Sequence, residues 1–169
     1  RQTGRPAKHK FLSYYRGYNG GTAGALSATG IARRKTTFEP LLGNFLHVQP
    51  AYCYRCPFEK EHSTCDLFCT RAIEQTIQLE GPDTVAAMLL EPIINTGGIL
   101  TPPDGYFPRL REICDRYGIL LIFDEIITGF GRTGAMFASE TFQTIPDILC
   151  VGKGMAGGYA PASAMIVQD

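Results

Sequence analysis

The stretch LLIFDEIITGFGRTG, Leu120–Gly134, decides how this chain is interpreted. An apolar run ending at Phe123 leads directly into two carboxylates, Asp124 and Glu125, and then into a turn with regularly spaced glycines. A run that is apolar on both faces is typical of a strand inside a parallel sheet. A carboxylate at the end of such a strand is costly to bury as an ion, and it needs a cationic partner. What lies beside Asp124 is therefore the first question that the sequence raises.

Two further apolar strands end on ionisable residues. The apolar strand within TVAAMLLEP ends at Glu91, and the apolar strand within DILCVGKG ends at Lys153. Between Glu91 and Asp124, the segment PPDGYFPRLREICDRYG predicts a helix that Asp104 caps and Gly118 ends. The predicted apolar face of that helix consists of Phe107, Leu110, Cys114 and Tyr117. Strand, helix and strand in this order predict an α/β fold, a parallel-rich sheet with helices on both faces.

The first half of the chain is less regular. KFLSYY predicts a short strand and TAGALSATG a helix that stops at Gly30, whereas residues 33–62 predict a long irregular excursion. Ser63 and Asp66 resemble a capping box, which places the start of another helix at Ser63. The predicted inward stripe of that helix consists of Cys65, Cys69, Ile73 and Ile77.

Composition excludes several classes of function. The 169 residues carry sixteen basic and sixteen acidic side chains, so no net charge points to nucleic acid or to a membrane surface as a partner. The apolar runs are strand-sized, far short of the roughly 20 residues that span a bilayer. Six cysteines without an export signal indicate a cytoplasmic protein. Because both ends enter or leave a strand pattern abruptly, we expect residues 1–169 to be the central part of a longer protein.

Glu91, Asp124 and Lys153 should meet at one edge of the sheet, because the carboxyl ends of parallel strands lie together. Asp124 and Lys153 could form a purely structural ion pair. The alternative is that both contact pyridoxal phosphate. That cofactor has an aldehyde that a lysine amine can bind as a Schiff base, and a ring nitrogen whose proton a carboxylate can hold. The glycines that flank Lys153 in residues 152–158 would allow the backbone to approach such a cofactor closely.

The blocks FDEIITGFGRTG and PDILCVGKGMAGGYAP resemble the signature of the class III pyridoxal-phosphate aminotransferases, the omega-aminotransferase group. The resemblance extends over essentially the whole chain, through GYNGGTAGALSATG and LLEPIINTGGILTPPDGY. It implies the large domain of a fold-type I enzyme that works as a homodimer. It also implies transfer of an amino group from an amine or omega-amino acid to a 2-oxo acid, such as pyruvate or 2-oxoglutarate.

The resemblance assigns five site residues. Lys153 matches the Schiff-base lysine, which also serves as general base, and Asp124 matches the partner of the ring nitrogen. Ile126 and Tyr18 match the residues that pack on the two faces of the ring. Glu91 matches a glutamate close to the cofactor, where it is expected to make a supporting hydrogen bond.

Two positions depart from the family pattern. A block that usually reads Tyr-His-Gly contains Asn19, which forms hydrogen bonds but does not titrate. Ile127 stands where many members have glutamine. The family's phosphate-binding loop and its carboxylate-binding arginine lie outside this segment. We therefore expect residues 1–169 alone to be inactive.

Two other interpretations compete with this one. Cys53, Cys56, Cys65 and Cys69 could bind zinc as a structural module, while the three histidines show no ligand spacing. The glycines between Gly129 and Gly134 satisfy the dinucleotide fingerprint of an oxidoreductase, which is weak alone and is followed here by little helix.

Overall fold

Six strands form one sheet in the computed structural model, which describes residues 4–168. The order across the sheet is β2-β1-β3-β4-β5-β6. Strands β1 to β5 are mutually parallel, and β6 is antiparallel to β5. The bounds are β1 Lys10–Tyr14, β2 Phe45–Val48, β3 Val85–Leu90, β4 Leu120–Asp124, β5 Ile148–Gly152 and β6 Ser163–Val167. The predicted α/β fold with a mostly parallel sheet is confirmed.

The main core lies on one face of the sheet, under helices α3 (Phe68–Glu80) and α4 (Tyr106–Tyr117). Alternate residues of three neighbouring strands point into it, because successive side chains of a strand face opposite sides. Among the strand residues in this core are Leu12, Tyr14, Met88, Leu90, Leu121 and Phe123. Burying a side chain of this size contributes about 1.5–3 kcal/mol, so this cluster dominates the stability of the domain.

The opposite face is covered only in part. Leu12 and Ser13 are both 0% exposed, so both faces of β1 are buried. Helix α1 (Ala23–Ala28) contacts β1 and β2 without joining the core under α3 and α4. Towards the other edge the cover is lost, and every residue of β6 is exposed. Helices therefore cover both faces of the sheet near β1.

Two predicted helix starts are wrong. Helix α4 has Gly105, with a φ of 76°, at its N-cap position, and Asp104 makes no capping hydrogen bond. Helix α3 begins at Phe68 rather than at Ser63, because Asp66 and Leu67 adopt left-handed backbone angles that no helix can contain. Cys65 consequently lies before the helix, and the inward stripe reduces to the buried Ile73 and Ile77 and the half-buried Cys69.

The excursion predicted for residues 33–62 contains more structure than expected. Helix α2 occupies Ala32–Lys35, and strand β2 occupies Phe45–Val48. Strand β2 is four residues long and pairs in parallel with β1 alone, at the edge of the sheet. So short an edge strand lacks the continuous apolar run that marks the buried strands. A last short helix, α5, spans Ala138–Thr141.

Candidate active site

The five predicted site residues line one cavity at the carboxyl edge of the sheet. In the register of β3 and β4, Leu90 pairs with Phe123, so Glu91 and Asp124 are the next neighbours. Lys153 follows the last residue of β5. The cavity has a volume of about 130 Å³, and its walls comprise Tyr18, Asn19, Gly20, Glu91, Asp124, Ile126, Ile127 and Lys153. The fold therefore assembles residues that are 135 positions apart in sequence, Tyr18 and Lys153.

Asp124 is a buried carboxyl group without an ionic partner. It is 7% exposed, and its Oδ1 accepts a hydrogen bond of 3.2 Å from the backbone N–H of Ile126. Burial raises the pKa of Asp124 to about 6, against the opposing effects of that N–H and of the Lys153 charge. No basic group among residues 4–168 lies within 4.0 Å of it. A structural Asp124–Lys153 ion pair, one of the two interpretations of the sequence, is therefore wrong.

Glu91 joins two loops at the floor of the cavity. It is 6% exposed, and its two carboxylate oxygens accept backbone N–H groups from Tyr18 at 2.8 Å and from Asn95 at 3.1 Å. Burial raises the pKa of Glu91, and the two N–H donors oppose that effect. The bond to Tyr18 fixes the loop after β1, so Glu91 positions the aromatic ring of Tyr18 in the cavity wall.

Lys153 has an unusual backbone conformation. Its φ is 44°, in the left-handed region, which costs a residue other than glycine roughly 1–3 kcal/mol. Such conformations are concentrated at functional sites, where surrounding structure imposes them. The side chain is exposed, and a turn follows in which Gly157 and Gly158 also have positive φ values. The turn after β5 thus presents the Lys153 amine at the edge of the sheet, beside the cavity.

Glu125 has a role that the sequence analysis missed. As the neighbour of Asp124, it points to the opposite side of the chain, is 0% exposed, and does not line the cavity. Its carboxylate accepts hydrogen bonds from the backbone N–H groups of Ala138 at 2.6 Å and Ser139 at 2.8 Å, and from Thr128 Oγ1 at 3.0 Å. Glu125 therefore clamps together both ends of the loop formed by residues 126–137. The alternation of side chains along a strand was the signal that could have separated the two carboxylates.

Asn19, which departs from the family pattern, holds its loop against helix α1. Its Nδ2 donates to the carbonyl of Ala28 at 3.1 Å, and its backbone N–H donates to Thr29 Oγ1 at 3.0 Å. The buried Oδ1 of Asn19 has no partner among the described residues. The amide at this position therefore supports the wall of the cavity through its donors.

The two competing interpretations are not supported. A dinucleotide site needs a helix that begins directly at the glycine turn, but here β4 is followed by a long loop and then by the four-residue helix α5. Cys53 Sγ lies 3.7 Å from His62 Nδ1, and both line a small cavity with Cys56, Cys65 and Cys69. Even so, residues 4–168 contain no group of three or more His, Cys, Asp or Glu residues arranged to hold a metal ion.

Of the helices in the described part of the chain, none is both long enough and apolar enough to cross a bilayer.

The residues present fit pyridoxal phosphate. The cavity brings together the amine-bearing Lys153, a buried carboxyl group that lacks a cation at Asp124, and two side chains of the kind that cover a planar ring, Tyr18 and Ile126. A protonated ring nitrogen beside Asp124 would supply the missing positive charge. The fit follows from the side chains that line the cavity and from the burial of Asp124.

Comparison with known proteins places the chain among aminotransferases. The family model described as Aminotransferase class-III matches residues 1–169. A probable aminotransferase of Mycobacterium tuberculosis is 45% identical over 99% of this chain and 36% of its own length. The diaminobutyrate–2-oxoglutarate transaminase of Halomonas elongata is 39% identical over 98% of this chain and 36% of its own length. The taurine–pyruvate aminotransferase of Bilophila wadsworthia is 40% identical over 91% of this chain and 34% of its own length.

Solved structures agree with these relatives. A Bacillus anthracis aminotransferase superimposes with a TM-score of 0.92 at 43% identity, covering 99% of this chain and 37% of the matched one. An amine transaminase from an uncultivated Pseudomonas species, solved in its PLP-bound form, gives a TM-score of 0.93 at 40% identity, covering 98% and 37%. The chain thus spans little more than a third of the length of the relatives it matches.

Proposed function

The chain belongs to the class III aminotransferase family, and from that premise we propose that it forms part of a pyridoxal-phosphate-dependent transaminase. The reaction would move an amino group from an amine or omega-amino acid to a 2-oxo acid, such as pyruvate or 2-oxoglutarate. The observation that carries the proposal is the buried Asp124 carboxyl group, which lacks a cation in the same cavity as Lys153. Residues 1–169 would then be the central part of the cofactor-binding large domain of a cytoplasmic homodimer.

Each cavity residue has a distinct task in this proposal. Pyridoxal phosphate, when bound, supplies an electron sink that stabilises negative charge at the carbon next to the substrate nitrogen. Asp124 would hold the proton on the ring nitrogen, which would keep that sink effective. Lys153 would hold the cofactor through its aldehyde group, and its Nζ atom would move a proton at the substrate carbon. Tyr18 and Ile126 would pack on the two faces of the ring.

Supporting contacts keep these groups in place. Glu91 accepts the backbone N–H of Tyr18 and so sets the position of one face of the cavity. The backbone N–H of Ile126 donates a hydrogen bond to Asp124 Oδ1. This bond links the residue proposed for the second face of the ring to the carboxylate. Because residues that contact the cofactor must be held to within a fraction of an ångström, these bonds contribute indirectly to the rate.

Two of the relatives support a 2-oxo acid as the amino acceptor. The printed names of two of them include different amino donors, diaminobutyrate and taurine, whereas both acceptors, 2-oxoglutarate and pyruvate, are 2-oxo acids. A 2-oxo acid is therefore the acceptor class that we propose for this protein. For the amino donor we propose the class of amines and omega-amino acids.

Chemical trapping tests the proposal. Borohydride reduction of the cofactor-loaded, full-length protein, followed by peptide mapping, should place a pyridoxyl mass on Lys153. A Lys153→Arg variant should lose the label. A Lys8→Arg variant should keep the label. Lys8 Nζ donates hydrogen bonds to the carbonyls of Pro82, Val85 and Tyr117, away from the cavity. Labelling of any other lysine in place of Lys153 would overturn the assignment.

A further inference from the structure

Four of the six cysteines line one small cavity that is separate from the proposed active site. Cys53, Cys56, Cys65 and Cys69 surround a space of about 20 Å³, which is room for roughly one water molecule. None of the residues that form its walls belongs to the cavity around Asp124. The proposed transamination therefore uses none of these thiols, and any chemistry they perform is a separate property of the protein.

Cys53 and Cys56 lie at the two ends of a single 3₁₀ turn. The turn spans Cys53–Arg55, and Cys56 occupies its C-cap position. A 3₁₀ helix has three residues per turn and rises about 2.0 Å per residue, so residues three apart lie on the same side with Cα atoms about 6 Å apart. Disulfide bonds join cysteines whose Cα atoms are usually about 4.4–6.8 Å apart. The backbone thus holds these two free thiols at the separation that a disulfide requires.

Cys53 has a base beside it. Its Sγ lies 3.7 Å from His62 Nδ1, within hydrogen-bonding distance for sulfur, and the Cys53 side chain is exposed. Partial burial raises the pKa of the Cys53 thiol, and the neighbouring thiols of Cys65 and Cys56 add to that effect. The group is therefore protonated at neutral pH, and it needs a base that accepts its proton in order to react. The imidazole of His62 is placed to be that base.

The charge around the cavity also favours reaction at Cys53. Among the described residues that line it, Lys60 has a permanent charge and none is a carboxylate. Lys60 Nζ lies 5.3 Å from the centroid of the Phe68 ring, which keeps the ammonium group at the cavity wall. A cation near a thiol stabilises the thiolate, which is the reactive form. By contrast, burial raises the pKa of Cys69 to about 11, so that thiol is far less reactive at neutral pH.

We propose that Cys53 and Cys56 form a peroxide-sensitive dithiol, in which Cys53 is the attacking thiol, His62 its base and Cys56 the thiol that completes a disulfide. His62 takes the proton from Cys53 as the sulfur attacks one oxygen of the peroxide. The O–O bond breaks, the leaving oxygen takes up that proton, and Cys53 becomes a sulfenic acid. The Cys56 sulfur then attacks the Cys53 sulfur, the S–O bond breaks, and the hydroxide that leaves takes the Cys56 proton. In total, two thiols and one hydrogen peroxide give one disulfide and two molecules of water.

Peptide mapping of the full-length protein tests the pairing. After treatment with hydrogen peroxide and alkylation of the remaining thiols, a Cys53–Cys56 disulfide should be found, and dithiothreitol should make both residues available to alkylation again. In Cys56→Ser the reaction should stop at the sulfenic acid of Cys53, which dimedone traps. Cys150→Ser is the matched control, because Cys150 is in β5 and does not line the cavity. That variant should form the disulfide at the wild-type rate.

The rate of oxidation tests the role of the base. His62→Gln should slow the loss of the Cys53 thiol at pH 7 about tenfold or more. His9→Gln changes another exposed histidine, outside the cavity, and should leave the rate unchanged.

Three results would refute the proposal. They are a disulfide from Cys53 to Cys65 in place of Cys56, oxidation of Cys53 no faster than that of Cys150, and a wild-type rate in His62→Gln. The first two are measured on the wild-type protein and stand however the variants fold. None of the readouts depends on transamination, so the result is independent of the function proposed above.

Discussion

Replacing Glu125 with glutamine tests how the loop over the site is held. The wild-type carboxylate receives Ala138 N–H and Thr128 Oγ1 on Oε2, and Ser139 N–H on Oε1. Glutamine has nearly the same shape but only one acceptor oxygen. Whichever way its amide lies, the NH₂ group faces a backbone N–H donor. One hydrogen bond is lost, the remaining ones lose their charge assistance, and one backbone N–H donor is left without a partner.

The size of the effect follows from those contacts. A hydrogen bond to a charged group contributes about 1.5–3 kcal/mol, and an unsatisfied buried donor costs about 1–3 kcal/mol. Since the two descriptions overlap, we expect the opening free energy of the loop to fall by roughly 2–4 kcal/mol. At about 1.4 kcal/mol per tenfold change, the opening equilibrium should increase roughly 30- to 700-fold.

Hydrogen–deuterium exchange followed by mass spectrometry measures this opening directly. In Glu125→Gln, the peptide that contains Ala138 and Ser139 should exchange faster by the factor given above, while peptides from helix α4 keep their wild-type rates. Glu112→Gln makes the same chemical change at a side chain that is 65% exposed and pairs with Arg109 only at 3.8 Å, so it should have no measurable effect. Wild-type exchange across the loop in Glu125→Gln would refute the clamp.

Two predictions concern Asp124→Asn. The variant should still bind the cofactor but lose roughly a hundredfold or more in the rate of each half-reaction, measured by stopped-flow absorbance. A near-wild-type rate would show that Asp124 is not the partner of the ring nitrogen. The second prediction concerns stability without cofactor. Burial raises the pKa of Asp124 from its ordinary value of 3.8 to about 6, so the native state binds more protons than the unfolded state between these values. The free energy of unfolding therefore falls as pH rises from about 4 to about 6. Asp124→Asn should remove that fall, which makes the cofactor-free variant more stable than wild type at pH 7, by at most about 3 kcal/mol, but not at pH 4. If the denaturation midpoints of wild type and Asp124→Asn differ by the same amount at pH 4 and at pH 7, the prediction is wrong.

The site was more predictable than the boundaries of the helices. Glu91, Asp124 and Lys153 were placed together because each ends an apolar run, and parallel strands end at one edge of the sheet. The start of α3 was missed because Ser63 and Asp66 have the right spacing for a cap, while Asp66 and Leu67 take left-handed angles. Those angles reflect the surrounding packing, which capping preferences do not encode.

Other features depended on contacts that are distant in sequence. The clamp at Glu125 needs Ala138 and Ser139, thirteen and fourteen residues away, to return to the end of β4. The link between Glu91 and Tyr18 spans 73 positions. Neither is marked by a local pattern, although the alternation along β4 limits which of its two terminal carboxylates can face the cavity.

The opposite orientations of Asp124 and Glu125 also determine where the chain tolerates insertions. One residue added inside β4 would rotate the strand end by one position, so that the clamp carboxylate would enter the cavity and Asp124 would turn towards α5. A residue added between Gly129 and Phe137 would have neither effect, because Glu125 fixes the loop at both of its ends. Strand β4 is therefore critical in length, whereas the adjoining loop, which Glu125 fixes at both ends, can accommodate an added residue.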